Sequence, residues 1–260
     1  MVVGDRKSLA QNFLAKSRLA ASLVNGSSIN WNDVVYEIGP GNGKLTKELC
    51  KRAKRVIAVE KDSNLFIQLK KKFALNDNIV LYNADFLKFN ITEARYKVFA
   101  NIPFNITSAV VRKIVYASNP PVEAYLILQK EAAEKFIGAQ KTTQFSVLVK
   151  PWFRLKIIWS FKKTDFSPVP NVDVVMLHIE KRIPPLISPT DFSIYQRFIK
   201  CGFGAWRRNL KSNYKNIFSH KQWKRLSRDL AFSMYAKPSE LRFEQWLGLF
   251  EFYMKDIYRH

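Results

Sequence analysis

Over the first 180 residues, short and almost continuous apolar runs alternate with longer stretches in which apolar residues recur every three or four positions. Val34-Val35-Tyr36-Glu37-Ile38, Arg55 to Glu60, Ile79 to Tyr82, Lys97 to Ala100 and Ala124 to Leu128 are rich in β-branched and aromatic residues and predict strands. Lys44 to Lys54, with Leu45 and Leu49 four apart, and Ser63 to Leu75 predict helices between them. Strands apolar on both faces and separated by helices predict an α/β fold: a parallel sheet covered on both sides. After Lys150, Trp152 to Phe161 and Val172 to Ile179 predict an antiparallel pair around Ser167-Pro168-Val169-Pro170, which completes a seven-stranded, mostly parallel sheet.

From Ile183 the pattern changes. Pro184-Pro185 and Ser188-Pro189 predict a linker. Beyond it, Leu226, Leu230 and Met234, and then Leu241, Leu247 and Phe250, recur at helical spacing. The expected organisation is a catalytic domain over 1–180 and a small basic helical domain over 181–260, without internal repeats.

Charge narrows the partner. Against 43 Lys and Arg stand 21 Asp and Glu, a formal net charge of +22, and between Phe192 and Arg228 ten basic residues meet no acidic one. Such a bias fits an anionic polymer or an anionic membrane surface. Trp206, Tyr214 and Trp223 lie among these basic residues and would suit lipid too, but they form no clean apolar face. No apolar run approaches the ~18 residues of a membrane span, and no charged-then-apolar leader opens the chain. A soluble, cytoplasmic protein is therefore expected, and a monomer, since nothing suggests a coiled coil. Cys50 and Cys201 are too few for a disulfide framework, and His178, His220 and His260 are scattered, so no metal is expected.

Glu37-Ile38-Gly39-Pro40-Gly41-Asn42-Gly43 leaves a predicted strand and enters a predicted helix. Glycines there allow a tight turn and close approach of the backbone to a ligand. The spacing is Gly-x-Gly-x-Gly, not the dinucleotide Gly-x-Gly-x-x-Gly. Glu60 ends the next strand, 21 positions after Gly39, where a carboxylate can accept hydrogen bonds from ribose hydroxyls. Asp85, after the third strand, is placed to accept from an adenine amino group. Together these residues outline an adenosine pocket. A phosphate-binding Gly-x-x-x-x-Gly-Lys-Ser/Thr is absent from the sequence, which disfavours a nucleoside triphosphatase and suits S-adenosylmethionine, a donor with no pyrophosphate.

Asn101-Ile102-Pro103-Phe104 directly follows the fourth strand. An adenine amino group is a poor nucleophile because its lone pair is delocalised into the ring. The side-chain oxygen of Asn101 and the backbone carbonyl of Ile102, with Pro103 fixing the turn, would accept its two N–H groups and aim the lone pair at a sulfonium methyl. Phe104 would stack on the base. Proximity and electrostatic orientation would do the catalysis, with no general base before transfer.

The set Gln11-Asn12-Phe13-Leu14, Glu37 to Gly43, Glu60, Asp85, Asn101 to Phe104 and Phe166-Ser167-Pro168-Val169-Pro170 resembles the ribosomal RNA adenine N6-dimethyltransferases. The resemblance spans roughly residues 8 to 180. It implies a Rossmann-like S-adenosylmethionine-dependent methyltransferase domain acting on ribosomal RNA. Gln11, Asn12, Leu14, Gly39, Gly41, Glu60, Asp85 and Asn101 would hold the donor, and Phe166 would face Phe104 across a base extruded from its stack. From the charge of the tail, Arg207, Arg208 and Lys211 are expected to bind RNA, with Lys162 and Lys163 as further contacts, or as an alternative surface together with Arg6 and Lys7. The family more often has Tyr at position 104, so any role of a phenolic hydroxyl is lost here. Asn-Ile-Pro and a short basic tail favour the branch that methylates 23S RNA and confers macrolide-lincosamide-streptogramin B resistance. The alternative is the 16S housekeeping branch. A nucleic-acid-binding factor that has lost catalysis would have eroded Glu60, Asp85 or Asn101. A DNA adenine methyltransferase would need a large recognition domain, for which the chain has no room.

Overall fold

A computed structural model describes residues 12–204 and 209–258. The chain forms two compact units, one of residues 12–133 and 156–181, the other of residues 134–155 and 182–258 apart from 205–208.

The first unit opens with a two-residue strand, β1 (Phe13–Leu14), and a helix, α1 (Ser17–Asn25). There follow β2 (Val34–Ile38), α2 (Lys44–Cys50), β3 (Arg55–Glu60), α3 (Ser63–Lys72), β4 (Ile79–Asn83), β5 (Lys97–Asn101), α4 (Thr107–Val115), β6 (Glu123–Gln129) and α5 (Lys130–Ile137). After α6 (Gln144–Val149), the strands β7 (Phe153–Ser160), β8 (Phe166–Ser167) and β9 (Val174–Lys181) complete the sheets. The seven-stranded sheet has the order β4-β3-β2-β5-β6-β9-β7. The first five strands are parallel neighbours, and β9 runs antiparallel to β6. Hydrogen bonds from Phe161 N to Val174 O and from Arg182 N to Trp152 O join opposite ends of β7 and β9, so this pair is antiparallel, as the sequence pattern predicts.

Both faces of the central strands are covered. Val35, Val56, Ala58, Phe99 and Ile127 join Leu23, Val24, Leu45 and Leu49 in one core, with no more than 5% of any of them exposed. At roughly 25 cal/mol per Å² of apolar surface removed from water, this burial is the main force holding helices to sheet. At the edge of the sheet where the parallel strands begin, Lys97 is almost fully buried, with Nζ 3.0 Å from Asp33 and 3.3 Å from Glu123. Burial works against the charge of Glu123, but hydrogen bonds from His178, Ser28 and Tyr125 and the charge of Lys97 outweigh it and hold this carboxyl well below the usual range.

The two predicted helices are shorter than their apolar spacing suggests. Residues 51–54 leave α2 because the side-chain amide of Asn78 donates to the carbonyls of Cys50 and Ala53 at 2.8 and 3.1 Å. Asp62 caps α3 by accepting from the N–H groups of Asn64 and Leu65, and the helix ends at Lys72 rather than Leu75.

The second unit packs α6 with α7 (Phe192–Phe203), α8 (Leu210–Asn213), α9 (His220–Asp229) and α10 (Phe243–Tyr253). Its core is aromatic: Tyr195, Phe198, Tyr214, Phe218, Trp223, Trp246 and Phe250 are buried. The polar tips are satisfied by backbone, with Tyr214 Oη donating to Phe198 O and Trp223 Nε1 to Met234 O. Tyr214 and Trp223 thus belong to the core and not to a surface shared with the basic residues, while Trp206 lies outside the described residues. On α9 the charged side chains Lys221, Lys224, Arg225 and Arg228 are exposed on the face opposite Trp223 and Leu226. The apolar spacing over 226–234 is not one helix: α9 stops at Asp229, and Ala231 adopts φ 54°.

The boundary expected after residue 180 falls after Lys181, but residues 134–155 do not belong to the sheet unit as the 1–180 division assumed. Val147 and Leu148 of α6 pack into the aromatic core, and Tyr195 Oη donates to Val147 O at 2.8 Å. No helix among the described residues is long and apolar enough to cross a membrane.

Candidate active site

Parallel neighbours β4, β3, β2 and β5 all end at one edge of the sheet, so the segments leaving them meet there. Gly39, Gly41 and Gly43, after β2, have φ of 63°, 56° and 73°, the left-handed region that side chains avoid. Space is tight at two of them. A Cβ at Gly41 would run into the Phe13 ring, and one at Gly43 would lie 2.8 Å from Leu69 and Phe73. Around Gly39 nothing among the described residues lies within 4 Å of where a Cβ would sit, so the backbone there is open to a ligand.

Glu60, the last residue of β3, is 1% exposed. One of its oxygens accepts from Gly41 N at 3.0 Å and the other from Asp62 N at 2.9 Å, so it shapes the glycine turn. Each oxygen keeps a second lone pair for a hydroxyl. Asp85 accepts from Lys61 Nζ at 3.0 Å and from Leu87 N at 2.9 Å. The hydrogen bond from Lys61, then that from Leu87, holds its carboxyl below the usual range. Lys61 was not singled out in the sequence, because its only signal is its place beside Glu60.

Asn101 ends β5, and its Nδ2 donates to Asn12 O at 2.7 Å. Only the amide nitrogen can donate to a carbonyl, so the orientation of the amide is fixed and Oδ1 is left as an acceptor. Ile102 is anchored by its N–H to Ile127 O at 3.0 Å, and Pro103, at φ −55°, begins the turn that carries Phe104. A cleft is lined by Asn12 to Leu14, Gly39, Pro40, Asn42, Lys44, Leu45 and the whole Asn101 to Phe104 tetrapeptide.

Several expected residues stand elsewhere. Gly41, Glu60 and Asp85 do not line this cleft; they follow or end strands at the same sheet edge, Glu60 bonded to Gly41 and Asp85 to Lys61 and Leu87. Phe166 is 2% exposed and packs edge-on to Phe161 at 5.3 Å, under β1, with which β8 pairs. It is a core side chain in this conformation and not the second wall opposite Phe104, a correction to the sequence reading. Phe13, Pro40, Asn42, Lys44 and Leu45 line the cleft without having been assigned to it. Phe13 belongs to the Gln11 to Leu14 motif but had no role assigned, and Lys44 carried no motif signal, since a lysine after a glycine is common. Lys162 and Lys163 are exposed just before β8, and Lys211 lies in α8 with Nζ 5.5 Å from the Tyr235 ring. Gln11, Arg207 and Arg208, and likewise Arg6 and Lys7, lie outside the described residues.

The profile of the ribosomal RNA adenine dimethylases matches residues 3–255. The chain belongs to that family. Ribosomal RNA small subunit methyltransferase A of Staphylococcus haemolyticus is 31% identical over 226 residues, covering 82% of this chain and 76% of the relative. The Staphylococcus aureus (strain MRSA252) protein of the same description is 32% identical with the same coverage. The crystal structure of 23S rRNA methyltransferase ErmE superposes with a TM-score of 0.85 at 28% identity, over 92% of this chain and 98% of that one. A dimethyladenosine transferase from Plasmodium falciparum shares the fold, with a TM-score of 0.75 at 22% identity over 94% and 98% of the two chains. As a ribosomal RNA adenine dimethylase the chain is an S-adenosylmethionine-dependent rRNA methyltransferase.

Beneath the glycine turn of this dimethylase lies a buried acid. Glu37 is 1% exposed, and neither carboxyl oxygen has a hydrogen bond of acceptable geometry among the described residues; the same holds for the Thr46 hydroxyl. Burial raises the Glu37 pKa to about 8, the proximity of Thr46 offsets part of this, and the Glu60 carboxylate adds to it. Glu37 is therefore mostly protonated in the folded protein at neutral pH and ionised in the unfolded chain. The folded state holds the extra proton, so stability falls as pH rises from the ordinary carboxyl range to about 8. Glu37→Gln should flatten that slope, its advantage over the native protein widening from pH 5 to 8. Thermal unfolding curves of the two proteins that stayed parallel over this range would rule out a proton on Glu37.

Proposed function

We propose that the protein methylates the exocyclic N6 of one adenine in 23S ribosomal RNA, with resistance to macrolide-type antibiotics as the consequence. The observation carrying the chemistry is the anchored amide of Asn101, whose Oδ1 is left as an acceptor in a cleft shared with Gly39. The residues present suit the donor. Gly39 offers an open stretch of backbone, Asn12 and Leu14 border it, and Glu60 and Asp85 provide acceptors along the sheet edge. S-adenosylmethionine supplies, when bound, an electrophilic methyl on a sulfonium. Asn101 Oδ1 and the Ile102 carbonyl would accept the two N–H groups of the base, and Phe104 would stack on its ring. Orienting the amine is the work these residues do; the proton leaves once the nitrogen is cationic.

Lys162, Lys163 and Lys211, with Arg207 and Arg208, are proposed phosphate contacts. The choice of 23S RNA is supported by Asn-Ile-Pro with a short basic helical tail and by the superposition on ErmE, with a TM-score of 0.85 at 28% identity. The 31–32% identity to those relatives supports a second reading, a 16S adenine as target. Primer extension on 23S and 16S RNA from cells with and without the protein separates them. A stop on 23S RNA that depends on the protein is expected; one on 16S RNA alone would replace the first reading with the second.

A further inference from the structure

Lys44 is the first residue of α2, yet its side chain reaches the N-terminal strand. Its Nζ donates to the carbonyls of Leu14 and Ala15, both at 2.7 Å, and it lines the cleft. Among the described residues it pairs with no carboxylate. The first turn of a helix is also an unfavourable place for a cation, and the two carbonyls offset that. Besides this grip, β1 pairs with β8 over two residues, Ala15 N adds one bond to Asp165 O, and Leu14 is buried in the core; Asn12 lies before all of these. A ladder this short is a weak restraint. The same segment presents the Asn12 carbonyl, which takes Asn101 Nδ2 at 2.7 Å.

We propose that Lys44 is a positioning residue for methyl transfer. It clamps residues 12–15 so that the Asn12 carbonyl fixes the Asn101 amide with Oδ1 toward the cleft. The chain of contacts runs from Lys44 Nζ to Leu14 and Ala15, back two residues to Asn12, and across to Asn101. This rests on Asn101 as the acceptor for the base amino group. Lys44 makes no contact with the base; it acts by denying the amide its alternative orientations. A misplacement of about 1 Å at such a group costs roughly 100-fold in rate.

The test uses the full chain, labelled S-adenosylmethionine, and 23S and 16S RNA freed of protein. Lys44→Met is expected to lower kcat by roughly 10- to 100-fold, a larger factor than any accompanying rise in the donor KM, since residues 12–14 also border the donor cleft. Lys44→Arg should restore most of the rate. Lys44→Met combined with Asn101→Ala should be no slower than Asn101→Ala alone, because both changes act through one amide. Should Lys44→Met unfold, Lys44→Ala, which removes the N–H donors without placing an apolar chain in the cleft, is judged by the same criteria. A kcat within twofold of the native enzyme, losses that multiply in the double variant, or a raised donor KM at unchanged kcat would each overturn the clamp. Failure of the underlying reading looks different: Asn101→Ala itself would then transfer methyl at near the native rate.

Discussion

Asn101→Ala is expected to lower kcat by roughly two to three orders of magnitude, the usual cost of removing one oriented polar group that acts in the transition state. Binding of S-adenosylmethionine should stay within a few-fold. The reasoning follows from the two ends of the amide: Nδ2 is committed to Asn12 O, so Oδ1 is the end left as an acceptor. Alanine removes both the anchor and the acceptor. Equilibrium dialysis with the donor and single-turnover methylation read the two effects separately. A near-native rate, or a loss of donor affinity equal to the loss of rate, would show that Asn101 does not orient the base.

A second large effect is expected at Gly41. Its φ of 56° costs an L-residue about 1–2 kcal/mol, and a methyl there must displace the Phe13 ring, so Gly41→Ala should cost about 2–4 kcal/mol in all. The melting temperature should fall by roughly 5–15 °C. Phe13 lines the cleft, so its displacement should also weaken donor binding by at least about tenfold, ~1.4 kcal/mol. Gly39→Ala is the informative contrast. The backbone strain is similar, but no neighbour among the described residues lies within 4 Å, so the protein should melt closer to native while the methyl occupies the open space beside the turn. Differential scanning calorimetry and dialysis on both variants test this. Equal melting temperatures for Gly41→Ala and the native protein would mean that Phe13 does not pack under the turn.

Much of the sheet was legible because buried parallel strands leave an unmistakable mark. Val34–Ile38 and Arg55–Glu60 fall where their apolar runs place them, and the tetrapeptide after β5 reaches the cleft as its position after a strand implies. What escaped the sequence depends on contacts between distant residues. The end of α2 is set by Asn78, 28 residues beyond Cys50, and no local propensity encodes that. Phe166 reads as a free aromatic beside a proline turn, yet pairing of β8 with β1 turns it into the core. The aromatics of the basic tail misled for a related reason. Apolar spacing tells that a residue is covered but not by what, and Tyr214 and Trp223 are covered by their own helices.

The assignment of residues 134–155 to the helical unit means that the chain passes from one body to the other and back before settling in the second. During synthesis, Val147 and Leu148 emerge about 50 residues ahead of Tyr195, Phe198 and Ile199, which will cover them. Their apolar surface must wait in water while the sheet's last strands are made. The helical body is therefore not a detachable appendage: a chain cut after Lys181 would keep this segment and lose Tyr195, Phe198 and Ile199 from the core that Val147 and Leu148 join.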